Sequence, residues 1–245
     1  MIAPRISNTI NRWRYQLMQQ RIRDIQIPGG AVSVTFDDFP VSAATKAADA
    51  LEAQQMQGTF YLAPGLISKH DKEVGQIASF EDVADLVARG HEIGARPYSN
   101  QICENLSSAK LGAEYSKSSE FLDTINGNRH FAFPDGAYDD TSLLYFSKRY
   151  ETLRTTAIGL NAGESDLNRL RANAISGDIN FSKIEKQLDD ARKRNGWLIF
   201  YTHDVSDNPS NRGIATSDFV RLLALIRDSG VRVGTMSSIT RHLTA

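Results

Sequence analysis

The run Ala31-Val32-Ser33-Val34-Thr35-Phe36, followed directly by Asp37-Asp38, contributes most to deciding the fold. It is short, apolar and rich in β-branched residues, which predicts a buried strand. Residues 42–55 come next and carry apolar side chains at helical spacing, which predicts a helix. A buried strand followed by a helix is the first βα unit of a parallel sheet.

The same alternation of strand and helix continues towards the C-terminus. Further strands are predicted over 58–63, 91–95, 130–133, 152–156, 197–201 and 231–233, and further helices over 80–89, 106–126, 142–149, 181–194 and 217–229. So many βα units in one domain predict an α/β fold built as an incomplete (β/α) barrel rather than an open sheet.

Pro28-Gly29-Gly30 separates the barrel from the preceding residues. We therefore expect a helical leader over 1–28 and one domain over 29–245. The leader is predicted to form an extra surface helix over 7–24, and a basic helix lying on a membrane surface is the alternative.

Composition limits the possible classes of protein. With 41% hydrophobic and 23% charged residues the chain is an ordinary globular protein, and its net charge of -1 gives no reason to expect a nucleic-acid partner. Cys103 is the only cysteine, which excludes an intramolecular disulfide and a cysteine-rich zinc site. No apolar run predicts a membrane span or a secretory signal, so a cytoplasmic location is expected.

Several predicted strands end in residues that could carry chemistry. Asp37-Asp38 follow the first strand, Arg96 to Asn100 the third, Pro134 to Tyr138 the fourth, and His203-Asp204 the strand over 197–201. Parallel strands present their C-terminal ends at one mouth, which predicts a shared site. Structural explanations remain open: a helix N-cap for the aspartates, a turn for Pro-Asp-Gly, and a hydrogen-bonded core position for the histidine.

Five motifs occur in order along the chain. They are Thr35-Phe36-Asp37-Asp38; Gly90-His91-Glu92-Ile93-Gly94; Phe131-Ala132-Phe133-Pro134-Asp135-Gly136; Arg154-Thr155-Thr156 with Asp166-Leu167-Asn168; and Phe200-Tyr201-Thr202-His203-Asp204. Together they resemble the motifs of the polysaccharide deacetylases, carbohydrate esterase family 4, the fourth in a form found in a bacterial subgroup. The resemblance implies a distorted (β/α) barrel and removal of acetyl groups from polysaccharides, with a divalent metal, usually zinc, held by one Asp and two His.

The resemblance also assigns roles to residues of this chain. Asp37 would be the general base, Asp38 a metal ligand and His203 the general acid, with backbone near Asp135 helping to hold the oxyanion. An acetylated polysaccharide or oligosaccharide would be the partner. The residues expected to bind are Asp38, Arg96, Asn100, Pro134, Asp135, Tyr138, Asp166 and Asp204.

The second motif departs from the family. Its two metal-binding histidine positions are Arg96 and Asn100 in this chain, which leaves Asp38 as the only ligand position retained. Arginine has no lone pair to offer a metal, and the asparagine carbonyl is a poor zinc ligand, so no metal cofactor is expected. We hypothesise that the Arg96 guanidinium pairs with Asp37 or Asp38 in place of the metal, the alternative being an Arg96 that points to solvent. Ala132 also stands where much of the family has an arginine that orients the base.

Three functions remain open. The leading hypothesis is an inactive or weakly active deacetylase-like protein, a pseudoenzyme. It would bind saccharide or another protein through the cleft that corresponds to the family's active site. A second is an active de-N-acetylase in which Asp38, Asn100 and waters hold zinc or another divalent metal. A third is a hydrolase with different chemistry around Asp37 and His203.

Overall fold

The computed structural model describes residues 20–125 and 129–244. Its strands are β1 (Ile22–Ile25), β2 (Ala31–Asp37), β3 (Thr59–Leu62), β4 (His70–Asp71), β5 (Gly75–Gln76), β6 (Glu92–Ala95), β7 (His130–Ala132), β8 (Thr152–Arg154), β9 (Gly163–Asp166), β10 (Asn173–Ala174), β11 (Trp197–Thr202), β12 (Val205–Ser206), β13 (Ile214–Ala215) and β14 (Arg232–Val233). Its helices are α1 (Ala48–Ala53, preceded by a π-helical segment over Ala43–Ala47), α2 (Phe80–Ala88), α3 (Ser108–Leu122), α4 (Asp140–Ser147), α5 (Phe181–Lys193), α6 (Thr216–Asp228) and α7 (Met236–Thr244).

The central sheet is parallel and runs in the order β10-β11-β2-β3-β6-β7-β8, with β14 pairing to the start of β2. Because all the strands of this sheet are parallel, their C-terminal ends lie at one edge. The expected α/β fold, a distorted and incomplete (β/α) barrel, is confirmed.

Strand β2 lies at the centre of the sheet and is buried along its whole length. Val32, Val34 and Phe36 face the core beneath the surrounding helices, where Phe36 stacks on Phe60 of β3 with ring centroids 4.4 Å apart. Ala31 belongs to the second core, which fills the barrel interior. Each large apolar side chain that is fully buried stabilises the fold by about 1.5–3 kcal/mol, which explains why this strand dominates the sequence pattern.

The prediction of a helix extending to Asp24 is wrong over its last residues. Residues 22–25 form β1, which pairs antiparallel with β9, and the Arg21 side chain donates to the Tyr150 carbonyl at 2.7 Å. Pairing with a distant strand outweighs a local helical spacing in this segment, because the spacing is a weak signal beside tertiary contacts. The part of the predicted helix before residue 20 lies outside the described residues.

Helix α7 was not predicted from the sequence. Met236 and Ile239 of this helix are buried in the second core, and the Met236 amide donates to Thr59 Oγ1 at 3.0 Å. No helix among residues 20–125 and 129–244 combines the length and the apolar character that a bilayer crossing needs.

Candidate functional site

Four strands deliver charged or titratable side chains to one point at the C-terminal edge of the sheet. Strand β2 ends in Asp37 and leads into Asp38, β6 leads into Arg96, β8 ends in Arg154, and β11 leads into His203. Their exposed fractions are only 1%, 8%, 2%, 0% and 6%, respectively. The structure therefore brings together the predicted Asp37, Asp38, Arg96 and His203, and it adds Arg154.

Arg96 bridges the two aspartates. Its Nη2 donates to Asp37 Oδ2 at 3.0 Å, and its Nη1 donates both to Asp38 Oδ2 and to Asn100 Oδ1, the latter at 3.0 Å. The hypothesis that this guanidinium pairs with the acids is confirmed, and the alternative of a solvent-facing Arg96 is wrong. Asp38 and Asn100 both adopt positive φ, at 45° and 59°, a conformation that Asp and Asn tolerate better than most residues.

Arg154 holds the first aspartate from the other side. Its Nη2 lies 2.5 Å from Asp37 Oδ1 and 2.6 Å from Oδ2. The guanidinium carbon is 5.1 Å from the ring centroid of Tyr61 and 5.0 Å from that of Tyr201, distances at which an aromatic ring attracts a cation. Ala132 is the register partner of Arg154 in the sheet. Arg154 on β8 thus lies beside Ala132 on β7, the position at which the family resemblance predicts an arginine.

The four charged groups form a neutral cluster, which we call the guanidinium–carboxylate cluster: Asp37, Asp38, Arg96 and Arg154. Burial opposes ionisation of Asp37, but the positive charges of Arg154 and Arg96 more than offset it, so the pKa of this carboxyl is lowered. Burial also opposes protonation of Arg96, and Asp37 and Asp38 more than offset it, so its pKa is raised. Asp37 and Arg96 therefore carry their charges near neutral pH.

His203 is neutral near neutral pH. Burial is the largest influence on the imidazole and lowers its pKa; Asp37 acts in the opposite direction, and the positive charge of Arg96 adds to the lowering. The residue faces a cavity of about 240 Å³ that opens at the edge of the sheet, which we call the cleft. The cleft is lined by Asp37, Arg96, Asp135, Thr156, Ala174, Ser176, Tyr201, His203, Asn211 and Arg212.

Three further predicted residues belong to the rim of the cleft or to its support. Asp135, at φ 51°, accepts from Arg212 Nη2 at 2.5 Å, which ties the turn after β7 to the loop before β13. Asp204 accepts from the backbone amide of Ser210 at 2.9 Å and so orders that same loop. Pro134 is buried beneath the turn.

Two of the predicted binding residues are not part of the cleft. Tyr138 packs against Phe133, with ring centroids 5.2 Å apart. Asp166 accepts from the amides of Arg21 and Asn168, each at 2.9 Å, and lines a separate cavity. These contacts assign Tyr138 to packing and Asp166 to loop structure.

The residues present do not fit the metal that the family resemblance implies. The Arg96 guanidinium donates to Asp38 Oδ2 and Asn100 Oδ1, the oxygens that a cation would need, and it cannot give up its charge. Asp38 Oδ1 has no hydrogen-bond partner among the described residues, but a single carboxylate oxygen falls short of the three protein ligands usual at catalytic zinc. In that part of the chain no group of three or more His, Cys, Asp or Glu side chains could hold a metal ion.

Comparison with known proteins identifies the class to which this fold and site belong. The sequence model of the family described as Polysaccharide deacetylase matches residues 25–150. The chain belongs to the polysaccharide deacetylase family. A chitin deacetylase of Arthroderma benhamiae is 26% identical over 180 residues, which covers 72% of this chain and 44% of that protein. The chain thus spans less than half the length of this curated relative.

Solved structures of the family share the fold at low sequence identity. The chitin deacetylase from the fungal pathogen Colletotrichum lindemuthianum superimposes with a TM-score of 0.60 at 16% identity, over 88% of this chain and 89% of that one. A peptidoglycan N-acetylglucosamine deacetylase gives 0.61 at 14% identity, over 91% and 94%. A mutant of a CE4 family pseudoenzyme with restored enzymatic activity gives 0.55 at 12% identity, over 86% and 67%. At these identities the likeness shows the fold alone.

Proposed function

We propose that this chain is a non-catalytic polysaccharide deacetylase homologue that binds acetylated saccharide in the cleft and needs no metal cofactor. The observation that carries the proposal is the position of Arg96, whose guanidinium is hydrogen-bonded to Asp37, Asp38 and Asn100. In metal-assisted hydrolysis the ion polarises the carbonyl and activates water. A fixed guanidinium can donate hydrogen bonds, but it cannot activate a bound water in this way.

The state of Asp37 supports the same conclusion. A general base works best when its pKa lies near the operating pH and its oxygen is free to accept the proton. Both carboxylate oxygens of Asp37 accept from Arg154, and Oδ2 also accepts from Arg96. With its pKa lowered by these two cations despite burial, Asp37 is a weak base. The residue in the position of the family's base is therefore poorly suited to abstract a proton from water.

The walls of the cleft support saccharide binding. Thr156, Ser176 and Asn211 supply hydroxyl and amide groups, which can exchange hydrogen bonds with sugar hydroxyls. Tyr201 lines the same cavity and is half-buried, so its ring is available to pack against a sugar face. A cleft lined mostly by polar side chains, with one aromatic ring, suits a hydrophilic ligand of this kind better than an apolar one.

Metal content, turnover and binding together test the proposal. The protein is loaded with zinc or cobalt and desalted, metal per chain is measured, and acetate release is followed with N-acetylated oligosaccharides. We expect metal far below one ion per chain, no acetate release, and saccharide binding by calorimetry. One ion per chain together with chelator-sensitive acetate release would instead establish an active de-N-acetylase. Acetate release that persists in chelator and is lost in His203→Ala would establish a metal-free hydrolase.

A further inference from the structure

A second cavity lies apart from the cleft and carries several charged side chains. Its volume is about 720 Å³, compared with about 240 Å³ for the cleft, and the two have no lining residue in common. We call it the arginine cavity, because its lining includes Arg169, Arg171 and Arg194. Arg171 and Arg194 come shortly before β10 and β11, so this cavity lies towards the N-terminal ends of these strands, whereas the cleft lies at their C-terminal ends.

One arginine of this cavity is already neutralised by an acid. Arg169 forms an ion pair with Asp166 Oδ2, and Asp166 Oδ1 accepts from two backbone amides, each at 2.9 Å. The Asp166 carboxylate is therefore fully engaged by protein groups. Of the charged groups that line the cavity, the guanidinium groups of Arg171 and Arg194 and the carboxylate of Glu164 remain, which leaves a balance of one positive charge.

Arg171 and Arg194 have no acidic partner among residues 20–125 and 129–244. Three bases occur in a row at the end of α5, and the first two, Arg192 and Lys193, pair with Asp189 at 3.2 and 2.5 Å, whereas Arg194 pairs with no acid in this part of the chain. Arg171 donates through Nη1 to a backbone carbonyl at 3.2 Å, which leaves most of its five N–H donors unused by described groups. Both side chains are exposed, so a ligand can reach them.

Two guanidinium groups at one cavity favour a phosphate group as ligand. Each guanidinium can donate two parallel hydrogen bonds to two oxygens of the same anion. A phosphate has enough oxygens to accept from two such groups, whereas the two oxygens of a carboxylate are occupied by one. A phosphate carries about -1.5 to -2 charge near neutral pH, and it would meet two positive charges against the single negative charge of Glu164.

We propose that the arginine cavity binds a phosphate group through the guanidinium groups of Arg171 and Arg194. The phosphate is either free or carried by a saccharide, since both present the same oxygens to the two arginines. The inference goes beyond the proposed function, because this ligand is charged and its site shares no residue with the cleft. A phosphorylated polymer held there would leave the cleft open to acetylated saccharide.

Calorimetry with inorganic phosphate tests the inference. Phosphate is titrated into the whole chain near neutral pH at low salt, and we expect saturable binding that weakens as ionic strength rises, because exposed charges are screened. Arg171→Gln and Arg194→Gln should each weaken binding by about tenfold, since each removes charged hydrogen bonds to the anion. Arg192→Gln is the matched control: it removes the same charge from an arginine that pairs with Asp189 and does not line the cavity, so the affinity should not change.

Three results would overturn the inference. The first is the absence of saturable phosphate binding by the unmodified chain, a result that needs no variant. The second is undiminished binding by the double variant Arg171→Gln and Arg194→Gln. The third is an equal loss of affinity in Arg192→Gln, which would show a general attraction of anions to the surface instead of a site.

Two further titrations identify the source of the phosphate and separate this inference from the proposed function. Tighter binding of glucose 6-phosphate than of inorganic phosphate would support a phosphorylated saccharide as the ligand, and equal or weaker binding would support free phosphate. The double variant should bind the trimer of N-acetylglucosamine as the unmodified chain does, because the cleft shares no residue with the arginine cavity. Failure of trimer binding would therefore overturn the proposed function alone, and failure of phosphate binding this inference alone.

Discussion

Removal of the Arg96 side chain tests whether the guanidinium–carboxylate cluster holds the fold together. In Arg96→Ala, two buried carboxylates would be left with the single guanidinium of Arg154, which contacts Asp37. Removing one partner of a buried ion pair destabilises a protein by about 3–5 kcal/mol, because the charge left behind has been taken out of water. For a domain of this size each kcal/mol lowers Tm by roughly 2–4 °C, so we expect a decrease of about 6–20 °C near neutral pH.

The pH dependence of that decrease identifies its cause. In the unmodified chain the pKa of Asp37 is lowered: burial acts to raise it, and Arg154 and Arg96 more than offset burial. Its ionised form therefore stabilises the fold above the unfolded pKa of about 3.9, and this contribution is lost as pH falls through the lower folded pKa. In Arg96→Ala a carboxyl can relieve the repulsion by taking a proton. The destabilisation should accordingly be largest near neutral pH and shrink towards about pH 4.

Thermal melting by circular dichroism across this range is the assay, and Arg129→Ala is the control. Arg129 pairs with Glu151 at the surface, where the two side chains are 54% and 44% exposed. An exposed pair of this kind is worth about 0–1 kcal/mol, so the control should melt within a few degrees of the unmodified chain. An Arg96→Ala variant that melts like the control, or whose loss of stability does not vary with pH, would refute the stabilising role assigned to the cluster.

Three other predictions concern metal binding, pH and thiol reactivity. With both Arg96 and Asn100 replaced by histidine, the chain should retain about one zinc or cobalt ion after desalting, because two imidazoles would join the Asp38 carboxylate as ligands. Absence of metal would show that the backbone geometry also prevents ligation. Burial lowers the pKa of His130 despite the opposing effect of Glu92, so below about pH 6.5 the unfolded chain binds more protons than the folded chain, and the free energy of unfolding should fall. Urea denaturation of His130→Gln should show a smaller fall with pH. A fall as large as that of the unmodified chain would show that His130 is not its cause. Burial raises the pKa of Cys103 to about 12, so its thiol should react with a disulfide reagent only after unfolding, and rapid labelling of the native protein would contradict the burial.

The main parallel strands and the meeting of Asp37, Asp38, Arg96 and His203 could be predicted because buried parallel strands carry a strong apolar signal. Their C-terminal ends necessarily share an edge. Arg154 was missed as a member of the site for a local reason. The predicted strand ran over 152–156 and placed this arginine inside it, whereas β8 ends at Arg154. A charged residue at the end of a buried strand was the signal that could have assigned Arg154 to the site.

Other features could not be read from local pattern. Strand β1 forms only because β9 lies beside it, and a pairing between residues so far apart leaves no local periodicity. The replacement of an arginine on β7 by one on β8 is also a property of the sheet register, in which Ala132 and Arg154 are partners.

Helix α7, in contrast, did carry a local signal that the sequence analysis missed. Met236, Ile239 and Leu243 recur at helical spacing, and all three belong to or pack on the second core.

The neutrality of the guanidinium–carboxylate cluster has a consequence for how such a site changes by mutation. A single substitution from Arg96 to histidine would remove a permanent charge before a complete set of metal ligands existed. The intermediate would keep Asp37 and Asp38 buried with one guanidinium, and it would bear the cost of an uncompensated charge without gaining an ion. A path to a metal site that begins at Arg96 therefore passes through a less stable intermediate, and the ion pairs that stabilise the present chain act as an epistatic barrier on that path.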